Sequence, residues 1–211
     1  MSIIEVPGAT VSGPIAYPVM IEVGCHPGLP SETIVGLPDT VVKESRSRIR
    51  SAIRHCKFQF PARAITINLA PAELKKEGPF FDLPIAVGIL QATNQLPIIP
   101  NTLFVGELGL SGDVRPVRGI ISMCNMASKQ GYAQIVVPFD NASEATLIKG
   151  ITVIPIKSIQ DLVDIGENNW SPPHIQPIQI PTLTDALLIE DVRGQWFAKR
   201  ALEISAAGSH N

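Results

Sequence analysis

Residues Ile65 to Leu90 read ITINLAPAELKKEGPFFDLPIAVGIL, and two side-chain periodicities meet there. Ala64–Leu69 alternates apolar and polar residues, as a half-buried strand does. After a turn rich in charge, glycine and proline, the stretch LPIAVGILQAT is apolar on every side, which predicts a deeply buried helix. Asp82 is read as its cap, and Pro84 fits the first turn, where no amide hydrogen is missed. A strand feeding a buried helix points to a mixed α/β domain.

The flanking sequence extends that pattern. Ile15–Gly24 and Glu32–Gly36 read as strands joined by the turn-rich HPGLPS. Asp39 to His55 reads as a helix opened by Pro38 and Asp39, with Val42, Ile49, Ile53 and Cys56 on one face. Downstream, Leu103–Leu110 reads as a strand running into a turn at Ser111–Asp113, and Gly119–Lys129 as a helix closed by Gly131. Gln134–Val137 and Ile151–Ile156 read as strands around a short helix, Ala142–Lys149, and Ser158–Ile165 as a further helix. Ser171 to Pro181 carries four prolines in eleven residues, which suits an extended linker. The expected organisation is therefore a domain over 1–168, a linker over 169–183 and a helical segment over 184–211.

Composition narrows the class. The chain has 211 residues, 45% of them hydrophobic, and a formal net charge of −2. Mean hydropathy is +0.22, yet no apolar run approaches the roughly 18 to 20 residues that cross a bilayer. The opening MSIIEVPGATVSG has neither a basic leader nor a long apolar core, so a cytoplasmic protein is expected. Cys25, Cys56 and Cys124 are odd in number and scattered, against a disulfide framework or a metal site. The pair Cys25-His26 has no second ligand pair nearby at metal spacing.

Four blocks carry a resemblance that spans essentially the whole chain: Val35–Ile53, Ile65–Leu90, Val105–Ile120 (VGELGLSGDVRPVRGI) and Asp191–Asn211 (DVRGQWFAKRALEISAAGSHN). In that order they resemble the ComM-type, magnesium-chelatase-like AAA+ ATPases. The resemblance implies a ribosomal-protein-S5-domain-2-like fold, related to the Lon protease domain, followed by the start of an AAA+ module. It also implies a full-length ATPase using ATP and Mg²⁺, a hexameric ring and a role in natural transformation and DNA branch migration.

Lon-like kinship raises the question of peptidase chemistry, which needs a serine nucleophile and a lysine base. In the Lon-like pattern the serine follows a Gly-Pro step; the similar stretch here is Glu77-Gly78-Pro79-Phe80-Phe81-Asp82, so Phe80 stands at the nucleophile position. The lysine position falls in Arg118-Gly119-Ile120-Ile121-Ser122-Met123, which puts Met123 where the base belongs. A phenyl ring cannot attack a carbonyl, and a thioether cannot serve as a base near neutral pH. Ser122 is read as facing out of its helix, and Lys75 and Lys76 as solvated.

No G-x-x-x-x-G-K-[ST] phosphate loop occurs in the sequence, so an ATP site would be partial at most. Asp191, Val192 and Gly194 resemble the AAA+ segment that lines part of the adenine pocket. Gly194 to Ala207 is read as a helix with Phe197, Ala201, Leu202 and Ile204 toward a buried side and Gly208 as its stop.

The remaining signal is a basic strip. Lys43, Arg46, Arg50 and Arg54 follow spacings of three, four and four, within one arc of a helix, and Glu44 is the lone acid between Lys43 and Lys57. Arginine's planar fork suits phosphate, so the strip is a candidate nucleic-acid surface. A contact with a neighbouring subunit and a plain solvated face stay open beside it. No aromatic interleaves the cations, against base stacking.

The expectation is a non-catalytic accessory domain of a ring-forming ATPase engaged in DNA processing, without a membrane segment. A Lon-like peptidase with a displaced dyad and a motor subunit assisting metal chelation are the alternatives.

Overall fold

The computed structural model of the chain describes residues 3–167, 169–171, 173–175 and 188–209. It divides into two units, Met1–Pro177 and Ile178–Asn211.

The first unit is built on a four-stranded sheet of β1 (Ile4–Ser12), β2 (Ile15–His26), β3 (Ser31–Val35) and β4 (Ala64–Ala70), in the order β1-β2-β4-β3. β1 and β2 form an antiparallel hairpin, β2 pairs antiparallel with β4, and β3 lies parallel to β4 at the edge. β1 is absent from the sequence reading, because Pro7 and Gly8 interrupt its apolar pattern and hide a strand. Alternation sends Val6, Val19, Ile21, Val23, Ile65, Ile67 and Leu69 to one face, where they are buried in the main core. The opposite face carries a row running across all four strands: Glu5, Glu22, Asn68 and Val35.

Two helices cover the apolar face. α1 (Thr40–His55) buries Val42, Ser45, Ile49, Ala52 and Ile53, matching the stripe read from the sequence. Asp39 is its cap: the Val42 N–H donates to Asp39 Oδ1 at 2.7 Å, and the Gly78 N–H donates to Oδ2 at 3.2 Å. The turn before it needs Gly36, whose φ is +94° and whose Cβ, if present, would collide with the Leu69 carbonyl. Leu37 follows at φ 54°, a left-handed conformation held by the Lys76 N–H on its carbonyl at 3.3 Å.

α2 (Asp82–Ala92) is buried at every position from Asp82 to Gln91, as its all-round apolar sequence predicts. Each large aliphatic side chain so placed contributes about 1.5–3 kcal/mol. This helix, packed against β1, β2 and α1, anchors the main core.

A second, parallel sheet runs β5 (Thr102–Phe104), β8 (Gln134–Pro138), β9 (Thr152–Ile156), in that order. Leu103–Leu110 is thus not one strand. It breaks at Val105–Gly106, and β6 (Glu107–Leu108) turns back to pair with β7 (Val114–Arg115). The break follows from tertiary bonding: the Gly106 N–H donates to the Phe80 carbonyl, and the Gly106 carbonyl accepts from Leu83.

α3 (Ile120–Lys129) buries Ile120, Met123, Cys124 and Ala127 in a second core and covers Ala9, Val11 and Ala16, the hairpin end of the four-stranded sheet. Gly131, at φ +80°, closes it. α4 spans only Ala142–Ala145 and α5 Asp161–Gly166, both shorter or later than their sequence patterns suggest.

In the second unit, a 3₁₀ turn at Ile189–Asp191 precedes α6 (Trp196–Gly208). Gly208 lies inside the helix, and Ser209, at φ 51°, provides the left-handed stop expected of the glycine. No residue of α6 is buried, and Trp196, Phe197, Leu202 and Ile204 are all exposed. Of the linker read at Ser171–Pro181, residues 172 and 176–181 lie outside the described residues.

Candidate functional site

Phe80 and Met123, far apart in sequence, converge in the second core. Gly78 at φ +88° turns the chain into a 3₁₀ turn, Pro79–Phe81, which presents Phe80 half-buried against that cluster. Met123 is fully buried in the same cluster. Phe81 points the other way into the main core, its ring edge-on to Phe80 with centroids 6.4 Å apart. The two positions thus share one apolar cluster.

Ser122 is half-buried, and its hydroxyl donates to the Pro14 carbonyl at 2.7 Å. Lys75 is exposed and pairs with Glu77. Lys76 departs from the sequence reading: it is 0% exposed rather than solvated, and its ammonium donates to the Pro71 carbonyl. Backbone pairing draws it in, since its N–H bonds Leu37 and its carbonyl accepts from Asp39. Burial lowers its pKa, with Glu73 opposing.

Asp82 also departs from its expected role. It is 1% exposed and makes no cap hydrogen bond at the start of α2. Its carboxylate instead receives Arg48 Nε at 2.8 Å and Nη2 at 3.1 Å, and the Leu108 N–H at 3.2 Å. Helix geometry turns the side chain of this residue sideways toward α1, so a buried ion pair takes the place of a cap. Burial pushes the Asp82 carboxyl up, while the Arg48 hydrogen bonds pull it down. Arg48 for its part is pushed up, chiefly by its hydrogen bond to Asp82. The charged pair at neutral pH is the state consistent with two-point bonding.

The basic strip lies on the outward side of α1, beside an open groove of about 650 Å³ lined by Glu32, Lys43, Arg46, Ser47, Arg50 and Ser51 among others. Half of its cations are already engaged. Arg46 Nη1 donates to the Glu32 carbonyl at 3.1 Å, and Arg50 pairs with the Glu32 carboxylate and lies 5.0 Å over the Phe60 ring. Lys43 and Arg54 are exposed and carry no ion pair among the described residues. Glu32 escaped the sequence reading because its meeting with α1 depends on where β3 pairs, which no local spacing encodes.

Asp191, Val192 and Gly194 sit in the second unit and are exposed there; Asp191 Oδ2 accepts the Leu188 N–H at 2.8 Å. Among the described residues no group of three His, Cys, Asp or Glu could hold a metal ion, and no helix is long and apolar enough to cross a membrane. Burial raises all three thiols, and Cys124 is pushed up to about 12.

The family model for subunit ChlI of Mg-chelatase matches residues 21–141, more than half of the chain. The protein YifB of Salmonella typhimurium is 44% identical over 215 residues, which cover 100% of this chain and 42% of YifB. Competence protein ComM of Haemophilus influenzae is 40% identical over 200 residues, covering 92% of this chain and 39% of ComM. Lon protease 2 of Bacillus subtilis is 31% identical over 127 residues, or 59% of this chain and 23% of that protease. The chain spans about two fifths of the length of YifB and ComM. With a matching family model and near-complete alignment to these two relatives, the chain belongs to the magnesium-chelatase-like family that includes YifB and ComM.

Proposed function

We propose that residues 1–168 form a non-catalytic accessory domain, of ribosomal-protein-S5-domain-2-like fold, in a hexameric AAA+ ATPase that processes DNA during natural transformation. Residues 184–211 begin the motor module, and 169–183 connect the two. The single observation that carries the reading is that Met123 is buried in one apolar cluster and Phe80 packs against the same cluster. A hydrolytic relative needs an alcohol and an amine there; this chain has filled the place with carbon and a thioether, which stabilise the core and do no proton transfer. Similarity to Lon protease 2 supports the fold, and similarity to ComM supports the competence role.

ATP and Mg²⁺ are the family's implied cofactors. The residues present do not make their site: the phosphate loop is absent from the sequence, and Asp191, Val192 and Gly194 are exposed. No step involving nucleotide is therefore assigned to this chain. Its work is contact, and the outward face of α1 is the surface for it.

The test is incubation of the protein with unfolded casein and, separately, with a serine-reactive fluorophosphonate. Neither proteolysis nor labelling is expected. Stoichiometric labelling of a single serine, lost on its replacement by alanine, would overturn the reading.

A further inference from the structure

β3 closes one end of the four-stranded sheet, and among the described residues no strand pairs with its outer edge. At the opposite end, β1 lies against β5. An edge strand leaves a row of backbone N–H and C=O groups unpaired, and proteins commonly guard such a row with lysine or proline. β3 reads SETIV and holds neither. Ser31, Thr33 and Val35 alternate as its exposed side chains, while Glu32 turns toward α1 and Ile34 packs on the main core.

The groove of about 650 Å³ runs beside this edge, with Glu32 on one wall and Lys43, Arg46 and Arg50 of α1 on the other. Arg46 crosses it: Nη1 donates to the Glu32 backbone carbonyl at 3.1 Å, and Nε to the Lys43 carbonyl at 3.1 Å. A donor standing in the groove thus reaches the β3 backbone at hydrogen-bonding distance. Both of its acceptors are neutral, so among the described residues neither Arg46 nor Lys43 has a carboxylate partner. Arg50, by contrast, is matched by the Glu32 carboxylate.

We propose that an extended polypeptide segment bearing an acidic side chain adds to the outer edge of β3 as a fifth strand, with its carboxylate facing Lys43 and Arg46. The inference rests on the accessory-domain reading and names the chemistry of the partner. In strand addition, main-chain hydrogen bonds supply affinity and alternate side chains supply the choice of partner. Every second side chain of the added strand faces the groove, and the others lie beside Thr33 and Val35, where β-branched residues pair well. The preferred segment therefore alternates acidic with β-branched residues. A polypeptide fits this place better than a nucleic acid does. A sugar-phosphate chain has no ladder of amides to meet a strand edge, and two unmatched cations suit a carboxylate rather than a track of phosphates.

The test titrates the 211-residue chain with a short, end-blocked peptide alternating valine and glutamate, followed by backbone NMR. Saturable shifts are expected both along β3 and in α1 around Lys43 and Arg46. N-methylation of the peptide amides, which removes its main-chain donors and keeps its charge, should weaken binding at least about tenfold. A peptide alternating valine and lysine should bind more weakly by a similar factor, as should the original peptide to Lys43→Glu. Lys43 is exposed, and unshifted core resonances check that this variant is folded.

Absence of saturable shifts up to about 1 mM valine–glutamate peptide overturns the proposal. Equal binding by the N-methylated peptide overturns it too, because charge alone would then have drawn the peptide in. Shifts in α1 on adding duplex DNA, with none from the peptide, overturn it in favour of a phosphate backbone. Such a failure leaves the peptidase question untouched, because phosphonate labelling reads that separately.

Discussion

Arg48 reaches from α1 to grip both carboxylate oxygens of Asp82 at the head of α2, at 2.8 and 3.1 Å. The pair pins the helix that bears the basic strip to the helix at the centre of the core. Replacing Arg48 by Met leaves a buried carboxylate with only the Leu108 amide for company. The expected loss is about 2–3 kcal/mol, below that of a wholly buried pair because Arg48 keeps one side to water. Urea unfolding measures it, and a second change, Asp82→Asn, should recover part of the loss.

The same carboxyl sets a pH dependence. Its folded pKa lies above the ordinary 3.8, with burial the main cause. Its proton-linked stability is full below 3.8 and fades as pH rises through the raised folded value. Arg48→Met raises that folded value further. The deficit of the variant should therefore shrink on acidification, a trend that unfolding curves across the acidic range will reveal.

Lys76 predicts a dependence of opposite sense. Burial lowers its folded pKa from 10.5, so between the two values the unfolded chain holds more protons than the native one. Stability should rise with pH across that window and fall as pH drops through the lowered value. Lys76→Met, which keeps the stem and removes the charge, should lose this rise relative to the parent.

Thiol reactivity orders itself by burial. Cys25 is half-buried, whereas Cys56 and Cys124 are buried and Cys124 is pushed up to about 12. With iodoacetamide at mildly alkaline pH, Cys25 should react first. Cys124 should resist until denaturant is added, as peptide mapping over time will record.

Gly36→Ala should cost more than about 2 kcal/mol, since it combines φ +94° with a collision on the Leu69 carbonyl. Gly13→Ala is the control: its φ is +58°, but nothing lies within 4 Å, so only the left-handed backbone penalty of about 1 kcal/mol applies. Equal losses in denaturant unfolding would show that the Leu69 contact is not what fixes the turn.

Much of the fold was legible because local chemistry agreed with tertiary need. The stripe of Val42, Ile49 and Ile53 predicted the buried side of α1, and the unbroken apolar run from Leu83 to Leu90 predicted the burial of α2. β1 stayed hidden because hairpin pairing with β2, rather than its own pattern, makes it a strand. The break of Leu103–Leu110 was equally invisible, since it is made by the Gly106 N–H donating to the Phe80 carbonyl and the Leu83 N–H donating to the Gly106 carbonyl.

The sequence alone determined the reactivity of two side chains: Phe80 and Met123 are incompetent as nucleophile and base whatever surrounds them, for reactivity belongs to the side chain itself. Tertiary structure alone decided what the charged residues do. Asp82 became an ion-pair partner rather than a cap, Lys76 went inside, and Glu32 took hold of two arginines of the strip. A charge acts through what lies within a few ångströms of it, and only the folded chain sets those neighbours.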